Sequence, residues 1–155
     1  MNNVISAHFV KVSREEVDAK YPTPTQIILP RRGTARSAGY DFYSPYSLSI
    51  APHSSVFVPT WVKCLDMPSD VVLKIYIRSS LGIKKGLCLS NGTGIIDSDY
   101  VWNIGVSIYN RSDETSSIEE GERFAQGIFE RYLLTRDDEP LESQRVGGFG
   151  STGKK

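Results

Sequence analysis

Val71-Val72-Leu73-Lys74-Ile75-Tyr76-Ile77 reads as a β-strand, with Leu73, Ile75 and Ile77 on one face and Val72, Lys74 and Tyr76 on the other. The same alternation recurs upstream, where Tyr46, Leu48 and Ile50 are separated by Ser47 and Ser49, and downstream in Ile104, Val106 and Ile108. Between such runs Pro, Gly, Ser and Asn cluster at short intervals, the spacing of a β-sandwich or barrel. One segment departs from this pattern. Ser13-Arg14-Glu15-Glu16 has the form of a capping box and predicts a short helix ending before Tyr21-Pro22. From Asp137 to Gln144 the chain turns polar and acidic, and from Val146 to Gly153 it is glycine-rich, as expected of a mobile arm on an all-β body.

The 155 residues suit one domain, with residues 136–155 as its arm. A chain of this length buries about 70% of its unfolded surface and needs no staple. Eighteen basic and 18 acidic residues balance, which argues against stable nucleic-acid binding, since phosphate-clamping proteins carry a basic surplus. The longest apolar run is three residues, far short of the ~20 needed to span a bilayer. The opening MNNVISAHFVKV lacks a basic-then-apolar leader, so a soluble, cytoplasmic or otherwise intracellular protein is expected. Cys64 and Cys88 are read as reduced, buried thiols. His8 and His53 are isolated and there is no CxxC, so no zinc site is expected.

Chemistry-bearing residues fall in four stretches. Gly147-Gly148-Phe149-Gly150-Ser151-Thr152-Gly153-Lys154 places backbone N–H groups and hydroxyls together, as in loops that cradle phosphates. A P-loop is excluded, because Lys155 stands where that motif needs Ser or Thr. Phe149 has no core to join among glycines and suits a flat ligand such as a base, while Arg145 and Lys154 supply positive charge. In Asn91-Gly92-Thr93-Gly94-Ile95-Ile96-Asp97-Ser98-Asp99-Tyr100 the glycines allow a tight turn and close approach to a ligand. Asp97 leaves an apolar strand and shares a face with Asp99 if the segment stays extended; on spacing alone it suits either a turn or a water-activating base. Arg78-Ser79-Ser80, at a strand end, suits an anion or a solvated turn. Asp41, in Ala38-Gly39-Tyr40-Asp41-Phe42, suits a hard cation through water or a turn cap.

Taken together these stretches resemble the trimeric deoxyuridine triphosphatases (dUTPases) from about Gln26 to Lys155. SAGYDFYSP (37–45), RSSLG (78–82), NGTGIIDSDY (91–100), GERFAQGIF (121–129) and RVGGFGSTGK (145–154) resemble that family's five motifs in order. The resemblance implies a jelly-roll-like β-barrel, a homotrimer with shared active sites, and Mg²⁺-assisted hydrolysis of dUTP to dUMP and pyrophosphate. By the same resemblance Asp97 would be the base that aligns water on the α-phosphorus, and Asp41 would hold Mg²⁺ through its water shell. Arg78, Ser79, Ser80 and Gln126 would meet the phosphates or the attacking water. Asn91 and the backbone from Gly94 to Ile96 would form the uracil slot, with Tyr100 on the deoxyribose. The arm would close with Phe149 on uracil and Arg145, Gly150, Ser151 and Thr152 around the outer phosphates.

Four departures from the family pattern stand out. Ile77 replaces the usual proline, Trp102 replaces a usual glycine, Arg145-Val146-Gly147-Gly148 is one residue short, and Glu15 to Thr25 reads as an insertion relative to compact members. Two other readings share these residues. A deoxycytidine triphosphate deaminase on the same fold would use a glutamate base, and none is evident in the third motif. A regulatory binder is the other, since some phage members of the family bind repressors; a regulatory protein partner is expected if the chain is phage-encoded.

Overall fold

The computed structural model describes residues 3–139 and 142–149. Twelve strands and one helix follow in order: β1 (His8–Lys11), β2 (Arg31–Arg32), β3 (Tyr40–Tyr43), β4 (Leu48–Ile50), β5 (Ser55–Pro59), β6 (Val62–Leu65), β7 (Val71–Ile77), α1 (Ser79–Lys84), β8 (Leu87–Leu89), β9 (Gly94–Ile96), β10 (Gly105–Asn110), β11 (Ser116–Ile118) and β12 (Arg123–Arg131). They form an all-β, jelly-roll-like body. Its largest sheet runs β2-β3-β12-β7-β9; a second runs β5-β10-β8, and β1 with β6 and β4 with β11 form two further pairs. Every described pairing is antiparallel.

The alternation in β7 sets the core. Leu73 and Ile75 are fully buried and pack with Phe42 and Ala125 of neighbouring strands, while Lys74 and Tyr76 turn outward toward Glu130. Val58, Val106 and Ile108 do the same for the second sheet. Each such aliphatic side chain stabilises the fold by roughly 1.5–3 kcal/mol relative to exposure. Gly127 permits close packing in the core: a Cβ there would lie 2.8 Å from Leu73 Cδ1 and 3.1 Å from Phe42 Cε2.

A second small core of Val12, Val17 and Trp61 lies beneath the N-terminal segment, with Tyr21, Ile27 and Tyr46 against it. Trp61 has φ 62°, a left-handed conformation that a bulky residue adopts only when its surroundings hold it there. Its backbone N–H donates to Asn103 Oδ1 at 2.8 Å and its indole N–H to the Tyr46 hydroxyl at 2.6 Å. That hydroxyl donates in turn to Pro22 O, which ties the segment between Glu15 and Thr25 to the body.

Three expectations change. The helix predicted after Ser13 is a single 3₁₀ turn, Arg14–Glu16. The capping box forms around it: the Ser13 side chain faces the Glu16 backbone, and Glu16 accepts from the Ser13 N–H at 2.9 Å and from Lys63 Nζ at 2.6 Å. The stretch after Arg78, read as a strand end or turn, is α1, with Leu81 buried beneath it; six residues are too few to display a helical period. Cys64 is buried, whereas Cys88 is only half-buried because it points to the outer face of β8; both are free thiols.

Candidate active site

The turn after β8 and strand β9 build a slot. Gly92, at φ 75°, closes the turn by donating its N–H to Leu89 O at 3.0 Å. Beside it lies a cavity of about 300 Å³, whose lining includes Phe57, Ser90, Asn91, Gly94, Ser107 and Phe149. Two nominated residues, Asn91 and Gly94, therefore line one cavity with the arm's Phe149. Ile96 faces the core opposite Leu73, so it can offer a ligand only its backbone.

Immediately after β9 the chain does not stay extended. The Tyr100 N–H donates to Asp97 O at 3.0 Å, closing a turn that still brings the Asp97 and Asp99 carboxylates to one partner. That partner is Arg145: its Nη2 bonds Asp97 Oδ2 and its Nε bonds Asp99 Oδ1 at 2.7 Å. The guanidinium is largely buried, with 17% of its side chain exposed, whereas half of Asp97 stays open to solvent. Arg145 thus reaches the third motif despite the shortened spacing. Gly148 lies flat on the Tyr100 ring, where a Cβ would come within 2.5 Å of Cε2. The Tyr100 hydroxyl donates to Asn103 O at 2.6 Å, and burial raises its pKa above the usual phenol value. Trp102, at the usual glycine position, packs edge-on against Tyr100 at 5.5 Å and so stiffens this corner.

The other nominated residues gather elsewhere. Asp41 on β3 is buried, and its two oxygens form ion pairs with Arg78 Nε and Arg123 Nη1, each at 3.2 Å. Gln126 on β12 stands directly across from Asp41, and Gly39 leaves room for it: a Cβ at Gly39 would overlap the Gln126 amide. Arg123 was not singled out by the sequence reading, although it lies inside GERFAQGIF; its cross-strand approach to Asp41 is a tertiary fact. Ser79 and Ser80 are exposed in the first turn of α1. Gly150, Ser151 and Thr152 lie outside the described residues.

Strand register separates these two groups. Asp41 is level with Gln126 and Tyr76, whereas Asp97 follows Ile96, which is level with Leu73. Three strand spacings across and four residues along put Asp41 and Asp97 on the order of 20 Å apart. The Arg78 guanidinium points to Asp41, so within one chain the two groups do not converge. A larger groove, about 1040 Å³, lies between the N-terminal segment and β12, lined among others by Val4, Phe9, Tyr40 and Arg131; none of the nominated residues lines it.

A jelly-roll-like fold with a slot beside an arginine-paired carboxylate cluster, and a second carboxylate held by two arginines, defines a class of all-β proteins with strongly charged clefts. The dUTPase family profile matches residues 25–153. The deoxyuridine 5'-triphosphate nucleotidohydrolase of Lactococcus lactis subsp. lactis is 41% identical over 151 residues, covering 93% of this chain and 99% of that protein. The crystal structure of dUTPase from Streptococcus mutans superposes with a TM-score of 0.69 at 36% identity, over 82% of this chain and 97% of that one. The dUTPase of Staphylococcus aureus phage phi11, whose structure details the coordination of a structural Mg(II) ion, shares the fold with a TM-score of 0.67 at 21% identity, over 89% and 97% of the two chains. The chain belongs to the dUTPase family.

Proposed function

We propose that the protein hydrolyses dUTP to dUMP and pyrophosphate, inside the cell, at sites shared among the copies of a homotrimer. One observation carries this reading: Asp97 sits at the end of the strand that lines the slot, half-exposed and bracketed by the arm's Arg145. Asp97 orients a water and takes its proton as the oxygen attacks the α-phosphorus. The bond from that phosphorus to the bridging oxygen breaks, and pyrophosphate leaves. Such a reaction needs charge neutralisation and an in-line water rather than a covalent nucleophile.

The two separated clusters have complementary roles. Asn91 and the backbone of Gly94 to Ile96 read the uracil edge, Tyr100 excludes a ribose hydroxyl, and Phe149 covers the base. Arg78, Ser79, Ser80 and Gln126, contributed by another copy, hold the phosphates and the attacking water, and the arm adds Arg145, Gly150, Ser151 and Thr152. The separation within one chain supports a site that is complete only in the assembly.

Mg²⁺ suits this donor set. No described group of three His, Cys, Asp or Glu side chains could cage a metal, which fits a hard cation held chiefly by phosphates and water. Asp41 carries one guanidinium on each oxygen and keeps further lone pairs for a metal-bound water. When bound, Mg²⁺ would neutralise charge on the triphosphate. The product dUMP would serve thymidylate synthesis, and removal of dUTP would limit uracil entering DNA.

Product analysis tests the reading. With Mg²⁺ and separate incubations of dUTP, dCTP, dTTP and UTP, dUMP and pyrophosphate should form from dUTP alone. Deamination of dCTP, or tight dUTP binding without turnover, would overturn it in favour of a deaminase or a regulatory binder.

A further inference from the structure

We propose that Phe57 is a positioning residue for the arm, and that the N-terminal insertion serves to brace it through Tyr21. This rests on the reading that Phe149 covers a base in the slot; it adds what sets the place of Phe149. Phe57 lies on β5 opposite Ser107, on the outward face of the second sheet. Its ring extends over Gly105 of β10, where a Cβ would overlap the Phe57 ring and lie 3.1 Å from Phe149 Cζ. The glycine is therefore a hollow that admits both aromatic rings at once.

From Phe57 the contacts run both ways. Phe149 meets it edge-on, with centroids 5.5 Å apart and planes at 73°, an arrangement that aligns the positive edge of one ring with the negative face of the other. On the other side Tyr21 packs at 6.0 Å and 43°. Tyr21 is itself fixed, because Lys20 Nζ lies 5.1 Å over its ring and the following Pro22 carbonyl accepts from Tyr46. Phe149 also has φ 52°, a conformation a phenylalanine keeps only where its surroundings determine it. With 78% of Phe149 exposed, the edge contact with Phe57 leaves a face of the ring open for a planar ligand. The ladder Tyr21–Phe57–Phe149 thus gives the insertion a purpose: it carries rigidity from the second core to the mouth of the slot.

The test uses the full-length protein and two readouts. Hydrogen exchange of the peptide spanning residues 142–149, with and without a non-hydrolysable dUTP analogue, reports arm docking. Steady-state hydrolysis of dUTP reports its consequence. Phe57→Leu and Tyr21→Leu should each speed exchange in that peptide and raise KM by ~2- to 10-fold, the range an aromatic pair contributes. Phe57→Tyr, which keeps the ring, should behave as wild type. Phe57→Leu combined with Phe149→Leu should lose no more than Phe149→Leu alone, because the two rings act as one unit. Wild-type exchange in both leucine variants, or additive losses in the double variant, would overturn the proposal. Absence of dUTP turnover in the wild type would instead defeat the catalytic reading, and the exchange readout would still judge the ladder.

Discussion

At the residue scale, the chemistry turns on carboxylates whose surroundings differ. Asp97 is half-open and faces a guanidinium on the arm; Asp41 is buried and neutralised by two guanidinium groups from neighbouring strands. The first arrangement leaves a carboxylate able to meet water, and the second organises positive charge around a fixed anion. Asp97→Asn retains shape and removes the carboxylate proposed as the base. It should lower kcat for dUTP by ~10²- to 10⁴-fold while calorimetric nucleotide binding persists. Unchanged turnover would exclude Asp97 as the base. The motif letters identified Asp41, Asp97 and Arg145 individually, but not that Arg123 joins Asp41 or that Asp99 shares Arg145. Those are contacts between residues 46 or more positions apart.

At the element scale, β7 and β12 hold the large sheet together, and Gly127 lets Leu73 and Phe42 of the neighbouring strands close on β12. Gly127→Ala should cost ~1–3 kcal/mol through overpacking, measurable as a lower denaturation midpoint with an unchanged slope. Burial pushes the Cys64 thiol on β6 up to about 11. Its neutral form is therefore favoured by folding; that contribution is complete below the ordinary thiol range and is lost as pH rises through about 11. At pH 8 iodoacetamide should label native Cys64 far more slowly than Cys88, and both equally in denaturant, as read by mass spectrometry. Strand alternation was legible because period two survives in even a three-residue element. Helix α1 was not, because one and a half turns anchored by a single buried Leu81 carry no readable period.

At the scale of the whole molecule, the proposed function makes a prediction about assembly, because the two clusters lie apart within one chain. Asp97→Asn and Arg78→Ala should each be inactive alone. When the two are unfolded and refolded together, mixed trimers should recover roughly a quarter of wild-type activity, the chance that a shared site draws an intact residue from each of two copies. No recovery, with trimers confirmed by sedimentation, would place the whole site within one chain. Long-range contacts also decide the place of the segment between Glu15 and Thr25. Its sequence indicated a short capped helix, but only the fold brings Tyr21 to Phe57 and so to the arm.

The sequence alone determined the all-β class, the five ordered motifs and the family they imply, because alternation and glycine-rich turns are local properties of the chain. It also carried the residue types that the chemistry requires. Tertiary structure decided which of them meet: Arg145 with Asp97 and Asp99, Arg78 and Arg123 with Asp41, and Phe57 with both Tyr21 and Phe149. Strand register and ring packing, which set these meetings, depend on residues far apart in the chain and acquire definite distances only when the sheets close on a common core.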